Sequence, residues 1–169
     1  PSHPAALNNI GGIQLLRKKD LEALPFLRKG AISSRFHPLY VNGYLTCLHN
    51  LGRHQEYLLV LEKVLENREM NKLKQEDVSR FLQILLEKTF WINHKEMFDQ
   101  YLMWGIQNDI LKDSPLFFWK TVSDALAGNW DSVPQAVNQI LSISPDNAIA
   151  KEIRHRVSSL PVEQNTKNP

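Results

Sequence analysis

The stretch "LGRHQEYLLVLEKVLE", Leu51 to Glu66, decides how the chain is read. A short turn, Leu51-Gly52-Arg53, closes one apolar segment and opens the next. Beyond it, Leu58, Leu61, Val64 and Leu65 stand at i, i+3, i+6 and i+7, which is one face of a helix. The same spacing returns in Phe81, Leu82, Leu85 and Leu86, and again in Val133, Val137, Ile140 and Leu141. No run alternates apolar and polar residues convincingly. Proline and glycine fall mostly between the periodic runs.

These breaks predict helices over 4–17, 20–34, 38–51, 54–68, 76–91, 94–108, 115–127, 131–143 and 146–159. Asp20 and Asp131 read as N-caps, because a short side-chain acceptor binds the free N–H groups of a first turn. Pro134 fits near the start of its helix, while Pro25 lies one turn in, where it delays or bends the helix. Paired helices meet at turns centred on Lys18, Gly52, Ile92 and Gly128. The intervals are 34, 40 and 36 residues, from 18 to 52, 52 to 92 and 92 to 128. Two helices per period in the mid-thirties signal a helical solenoid. One amphipathic hairpin cannot bury its own apolar stripe, and stacking several hairpins does.

Composition agrees. At 169 residues, 43% apolar and 22% charged, the chain fits one globular domain with an ordinary core. The expected organisation is a repeat domain over 1–159 and a flexible, solvated tail over 160–169 within "SSLPVEQNTKNP". Twenty basic and 18 acidic residues leave a net charge of +2, too little to support nucleic acid or an anionic membrane as partner. The basic pieces Arg17-Lys18-Lys19 and Arg28-Lys29 read as solvated helix faces. No stretch approaches the roughly 18 apolar residues of a membrane span. No signal peptide is visible, an absence that says little, and the compartment is left open with a cytoplasmic setting favoured. The start at "PSHP", without Met, reads as a processed or excised piece.

The repeats resemble the tetratricopeptide repeat family. In the first unit, Ile10-Gly11 corresponds to the family's first-helix Leu-Gly, and Ala23, Leu27 and Gly30 to its small, large and small second-helix positions. In the second unit, the opening stretch resembles the family's turn and second helix, with Leu61 and Val64 at packing sites. In the fourth, "GNWDSVPQAVNQILSISPDN" supplies the turn Gly128-Asn129-Trp130 and the closing Pro145. Tyr57 and Thr121 depart from the pattern, standing where a small residue and a glycine are usual. The third unit, "NHKEMFDQYLMWG", keeps only the apolar pattern through Met97, Tyr101 and Trp104, after the polar connection "ENREMNKLKQED". The resemblance spans about residues 4–155. It implies an all-α fold, a right-handed superhelical solenoid of stacked antiparallel helix hairpins, with a capping helix after Pro145.

Chemistry is thin. The six histidines form no His-Glu-x-x-His pair, and a single cysteine offers neither a disulfide nor a cysteine metal pair. Cys47, on an apolar-patterned segment, reads as a buried structural thiol. "NNIGGIQ" lacks the Gly-Lys-Ser/Thr ending of a phosphate loop, and Gly11 reads instead as a close-packing site between helices. No catalytic residue, metal or cofactor is expected. Phe117, Phe118 and Trp119 are consecutive, so a helix must point them apart and leave at least one partly exposed. Trp91 and Trp104 fit core or joint positions.

The resemblance implies a protein–protein interaction scaffold whose first helices line a concave groove for a peptide or a helix. Carried over by register, the groove candidates are Asn8, Gly12, Asn42, Thr46, His49, Asn50, Gln83, Leu86, Phe90, Trp119 and Val122. Asparagine amides suit an extended peptide, since they both donate and accept. The clamp by which some family members hold a chaperone's acidic C-terminus is not expected. Asn8 occupies its first lysine site, Gly12 and Gly43 its asparagine sites, and Ser79 and Gln83 its later basic sites. The alternative is a repeat region of a larger enzyme or regulator, such as a glycosyltransferase's substrate-binding arm. Self-association through an end hairpin or the Phe117–Trp119 patch is a further possibility.

Overall fold

The computed structural model describes residues 3–160, which form nine α-helices and no strand. These are α1 (Pro4–Leu16), α2 (Asp20–Ser33), α3 (Pro38–Asn50), α4 (His54–Glu66), α5 (Gln75–Trp91), α6 (Lys95–Gln107), α7 (Asp113–Ala127), α8 (Val133–Ile143) and α9 (Ala148–Ser158). Every boundary falls within two residues of its prediction. The tail expected over 160–169 lies, beyond Leu160, outside the described residues.

The two expected N-caps are corrected. Asp20 is the first residue of α2, after Lys19 at the cap position. Its carboxylate instead accepts a hydrogen bond from the Asn50 amide at 2.8 Å. Asp131 stands one residue before the N-cap Ser132, and no side chain caps α8. Side-chain caps come from His37, His94 and Asn147, at α3, α6 and α9. Pro25 lies inside α2, which continues through it.

One turn geometry recurs along the chain. After α1, the N–H of Lys18 bonds to Leu15 O at 2.8 Å and that of Lys19 to Gln14 O at 2.9 Å. That pair of bonds is a Schellman motif, which needs a left-handed residue just past the helix. Lys18 supplies it with φ 58°. The same pair of bonds forms around Arg35, Gly52, Lys72, Asn93, Asp109 and Gly128. All seven have positive φ, and only two are glycines. The third hairpin therefore turns on Asn93 rather than Ile92.

The chain forms two compact units, Pro1–Leu85 and Leu86–Pro169, with the division inside α5. Solenoid contacts run between neighbouring elements, so contact density alone does not bind a long array into one body. In the N-terminal unit, α1 packs on α2 and α3, α2 on α3, and α3 on α4. Ala23, Leu27, Ala31, Val41, Leu48, Leu61 and Val64 are sealed from solvent. Gly11 is the closest approach: a Cβ there would stand 2.4 Å from Leu27 Cγ and 3.3 Å from Ala23 O. This is the packing role its sequence context indicates. Cys47 is also sealed, and its thiol donates to Asp20 O at 3.2 Å. Burial, with the nearby Asp20 carboxylate, raises its pKa above the ordinary thiol value, so it is an inert structural group.

In the C-terminal unit, α6 packs on α7, α7 on α8 and α8 on α9. Its core gathers Phe98, Val122, Val133, Val137 and Ile153. The Phe98 and Trp119 rings lie 5.9 Å apart. α9 turns Ile149, Ala150 and Ile153 inward and leaves Lys151, Arg154 and His155 in solvent. That is the polar outer face a capping helix requires. Trp91, expected at a core or joint position, is 46% exposed. Trp104 is half-buried.

Candidate functional site

α3 presents one polar edge of the N-terminal unit. Helical spacing puts Asn42, Thr46 and His49 on a common stripe. All three are exposed, because the opposite face buries Val41, Tyr44, Leu45 and Leu48. The Thr46 hydroxyl donates to Asn42 O at 3.0 Å, which fixes its rotamer and leaves its lone pairs outward. Beside the stripe, α1 comes close to α3 at Gly43. A Cβ on Gly43 would stand 3.1 Å from Leu27 Cδ2 and 3.4 Å from the Asn8 side-chain oxygen. Gly12, on the same helix as Asn8, is open: a Cβ there would meet nothing within 4 Å. Gly43 is thus a close-packing site between α1 and α3, and only Gly12 leaves its backbone open.

Asn8 is half-buried, and its Oδ1 accepts no hydrogen bond among the described residues. A buried acceptor without a donor costs about 1–3 kcal/mol. Asn50 is exposed, but its amide is committed to Asp20. It ties the end of α3 to the start of α2. Gln83 is half-buried, and its amide donates to Ser79 Oγ on its own helix at 3.1 Å. Asn42, Thr46 and His49 thus share an exposed stripe of α3, Asn8 lies against α3 at Gly43, and Asn50 is tied to Asp20.

The C-terminal candidates sit differently. Phe90, Leu86 and Val122 are sealed, and Trp119 is 4% exposed. Phe90 stacks edge-on with Trp91 at 5.0 Å and lies under the Arg156 guanidinium at 5.1 Å. Trp119 contacts Phe98 and Phe118. These rings build the core rather than an open face. The exposed member of the aromatic run is Phe117, at 43%. It borders a cleft of about 280 Å³ between α7 and α8, with Lys120, Asp124, Gln135 and Gln139 around it.

A second cleft, of about 180 Å³, lies between α2 and α4, lined by Arg28, Ile32, Phe36, Tyr44, Leu59 and Lys63 among others. Nothing in the helical periodicity marks it as a site. The available signal was Leu59, which stands off the Leu58–Leu61–Leu65 stripe. Among the described residues, no group of three His, Cys, Asp or Glu is placed to hold a metal. Nor is any described helix long and apolar enough to cross a membrane.

No family model and no curated protein matches the chain. A crystal structure of a tetratricopeptide repeat protein from Parabacteroides merdae superimposes with a TM-score of 0.61 at 18% identity. The fold is that of a tetratricopeptide repeat protein. The match covers 89% of this chain and 56% of that one, so this chain spans little more than half its length. At such identity the likeness is one of fold, and it joins the repeat spacing, the seven matched turns and the capping helix in an all-α solenoid.

Proposed function

We propose that this tetratricopeptide-fold chain is a protein-interaction scaffold, and that the α1–α3 face of its N-terminal unit holds an extended peptide of a partner protein. The observation that carries this reading is the exposed stripe Asn42, Thr46 and His49 on α3, with Asn8 of α1 packed beside it at Gly43. An extended peptide leaves every backbone N–H and C=O in need of a partner. Amides, a hydroxyl and an imidazole in line supply both donors and acceptors. The stripe carries no lysine or arginine, so it lacks the fixed positive charge that grips a terminal carboxylate.

The test is capture of partners from a native lysate, followed by titration of the purified partner against wild type and Asn42→Ala/His49→Ala. Both side chains are exposed, so the variant keeps its fold. The expected result is at least about tenfold weaker binding, a loss of ~1.4 kcal/mol. Equal affinity for the two proteins would remove the face from consideration.

A further inference from the structure

The second helices of the N-terminal unit carry a surface that the α1–α3 face does not use. It is the cleft between α2 and α4, and three independent features mark it.

The first is apolar exposure. Ile32 on α2 is 53% exposed and Leu59 on α4 is 55% exposed, and both line this one cleft. Beneath them lie buried Val60 and half-buried Phe36. Scattered surface aliphatics need no explanation, but two converging on an aromatic in one concavity resemble a binding surface.

The second is strain. Arg35 and Phe36 are consecutive non-glycine residues with φ of 54° and 59°. Left-handed backbone costs such residues roughly 1–2 kcal/mol each. The segment is held by its surroundings: Phe36 N–H bonds to Ala31 O at 2.7 Å. The Asn71 amide donates to Arg35 O at 3.1 Å, and the Arg35 guanidinium donates to Met70 Sδ at 2.9 Å. The long polar connection after α4 thus clamps the α2–α3 link, and the clamped link sets Phe36 into the cleft. Strain kept in place by neighbours clusters at ligand clamps.

The third is charge. Glu56 is paired with Arg53, and Lys63 with Glu66 on the exposed surface. Arg28 has no carboxylate within ion-pair range among the described residues, although it lines the cleft. The charged residues that line the cleft are Arg28, Lys63 and Glu56, two cations against one carboxylate, so the lining is net positive. A planar guanidinium beside apolar walls donates two parallel hydrogen bonds to a carboxylate. Tyr44, at the cleft's floor, keeps its proton, because burial first and the Glu56 carboxylate second raise its pKa.

We infer that the α2–α4 cleft docks a partner segment carrying a large apolar side chain beside an acidic residue. The apolar group enters between Ile32 and Leu59, and the carboxylate meets Arg28. This inference is independent of the proposed α1–α3 peptide face.

The experiment is a selection of random dodecapeptides displayed on phage against the full chain. Enriched peptides are then synthesised and titrated against wild type, Leu59→Asp, Arg28→Glu and Asn42→Ala/His49→Ala. Leu59 and Arg28 are surface side chains, and far-UV circular dichroism checks that each variant is folded. The expected binders pair a large apolar residue with Asp or Glu. Leu59→Asp and Arg28→Glu should each weaken them at least about tenfold, and Asn42→Ala/His49→Ala should leave them unchanged. Replacing the peptide's acid with its amide should reproduce the Arg28→Glu loss on wild type. Binders that survive both cleft variants, or binders without an acid, overturn the inference. If the only binders are those lost on Asn42→Ala/His49→Ala, the cleft reading fails while the α1–α3 face stands. A dimer in sedimentation that Leu59→Asp dissolves assigns the cleft to a second copy and overturns it too. If nothing is enriched, the inference also fails.

Discussion

Gly11 and Gly12 are neighbours in α1, yet alanine should act on them in opposite directions. A helical glycine costs about 1 kcal/mol relative to alanine, through backbone entropy. At Gly12 nothing opposes that gain, since the added methyl meets nothing within 4 Å. Gly12→Ala should therefore stabilise the chain by about 0.5–1 kcal/mol. At Gly11 the methyl would stand 2.4 Å from Leu27 Cγ and 2.6 Å from its Cδ2. Leu27 is sealed at the centre of the unit and cannot swing away, so overpacking wins by about 1–3 kcal/mol. Urea midpoints of the two variants check this, and a shift of the same sign for both would refute the packing account. At this scale the sequence was partly legible. The match of Gly11 to a family packing site identified its role correctly. Phe90 and Trp119 were misread as groove residues because helical register gives the direction of a side chain around its own helix. It does not give the depth of the neighbours packed over it. The open edge of α3 was readable, since Asn42, Thr46 and His49 oppose a strongly apolar face. The bond from Asn50 to Asp20 was not, because it joins residues 30 apart in the chain.

Helix ends were the most legible element, and the turns between them less so. The apolar period stops where solvent begins, so boundaries within two residues follow from pattern alone. The turn residues hide because glycine is the usual signal for a left-handed cap, and five of the seven here are Lys, Arg, Asn or Asp. What those positions share is backbone geometry, a pair of bonds back to the helix, and no residue type announces it. This has a measurable consequence. Lys18 holds φ 58° at the first hairpin turn, where Gly52 holds φ 66° at the second. A Cβ on Gly52 would meet nothing within 4 Å, so only backbone preference separates the two sites. Lys18→Gly should stabilise the chain by about 0.5–1 kcal/mol, and Gly52→Ala should destabilise it by roughly 1 kcal/mol. Thermal midpoints of the two variants test this directly. Lys18→Gly at or below wild type would mean that the lysine side chain compensates for its strained backbone.

At the scale of the molecule, the repeats make stability local. Each element leans on its neighbours, so damage in one compact unit need not be felt in the other. The chain offers a way to see this, because its four tryptophans, Trp91, Trp104, Trp119 and Trp130, all lie in the C-terminal unit. Tryptophan fluorescence therefore follows that unit, whereas far-UV circular dichroism follows helices everywhere. Leu27 is sealed at the heart of the N-terminal unit, and Leu27→Ala should cost about 2–5 kcal/mol there. In urea, the variant's helix signal should begin to fall at a lower concentration than in wild type. Its tryptophan signal should keep the wild-type midpoint. A loss of that size is large against the stability of a typical domain, so the early phase should be well separated. Coincident transitions by both probes, moved together by the mutation, would show that the two units unfold as one. The outcome also bears on function. If the N-terminal unit opens alone, both of its proposed surfaces, the α1–α3 face and the α2–α4 cleft, are lost in one local event while the C-terminal unit stays folded.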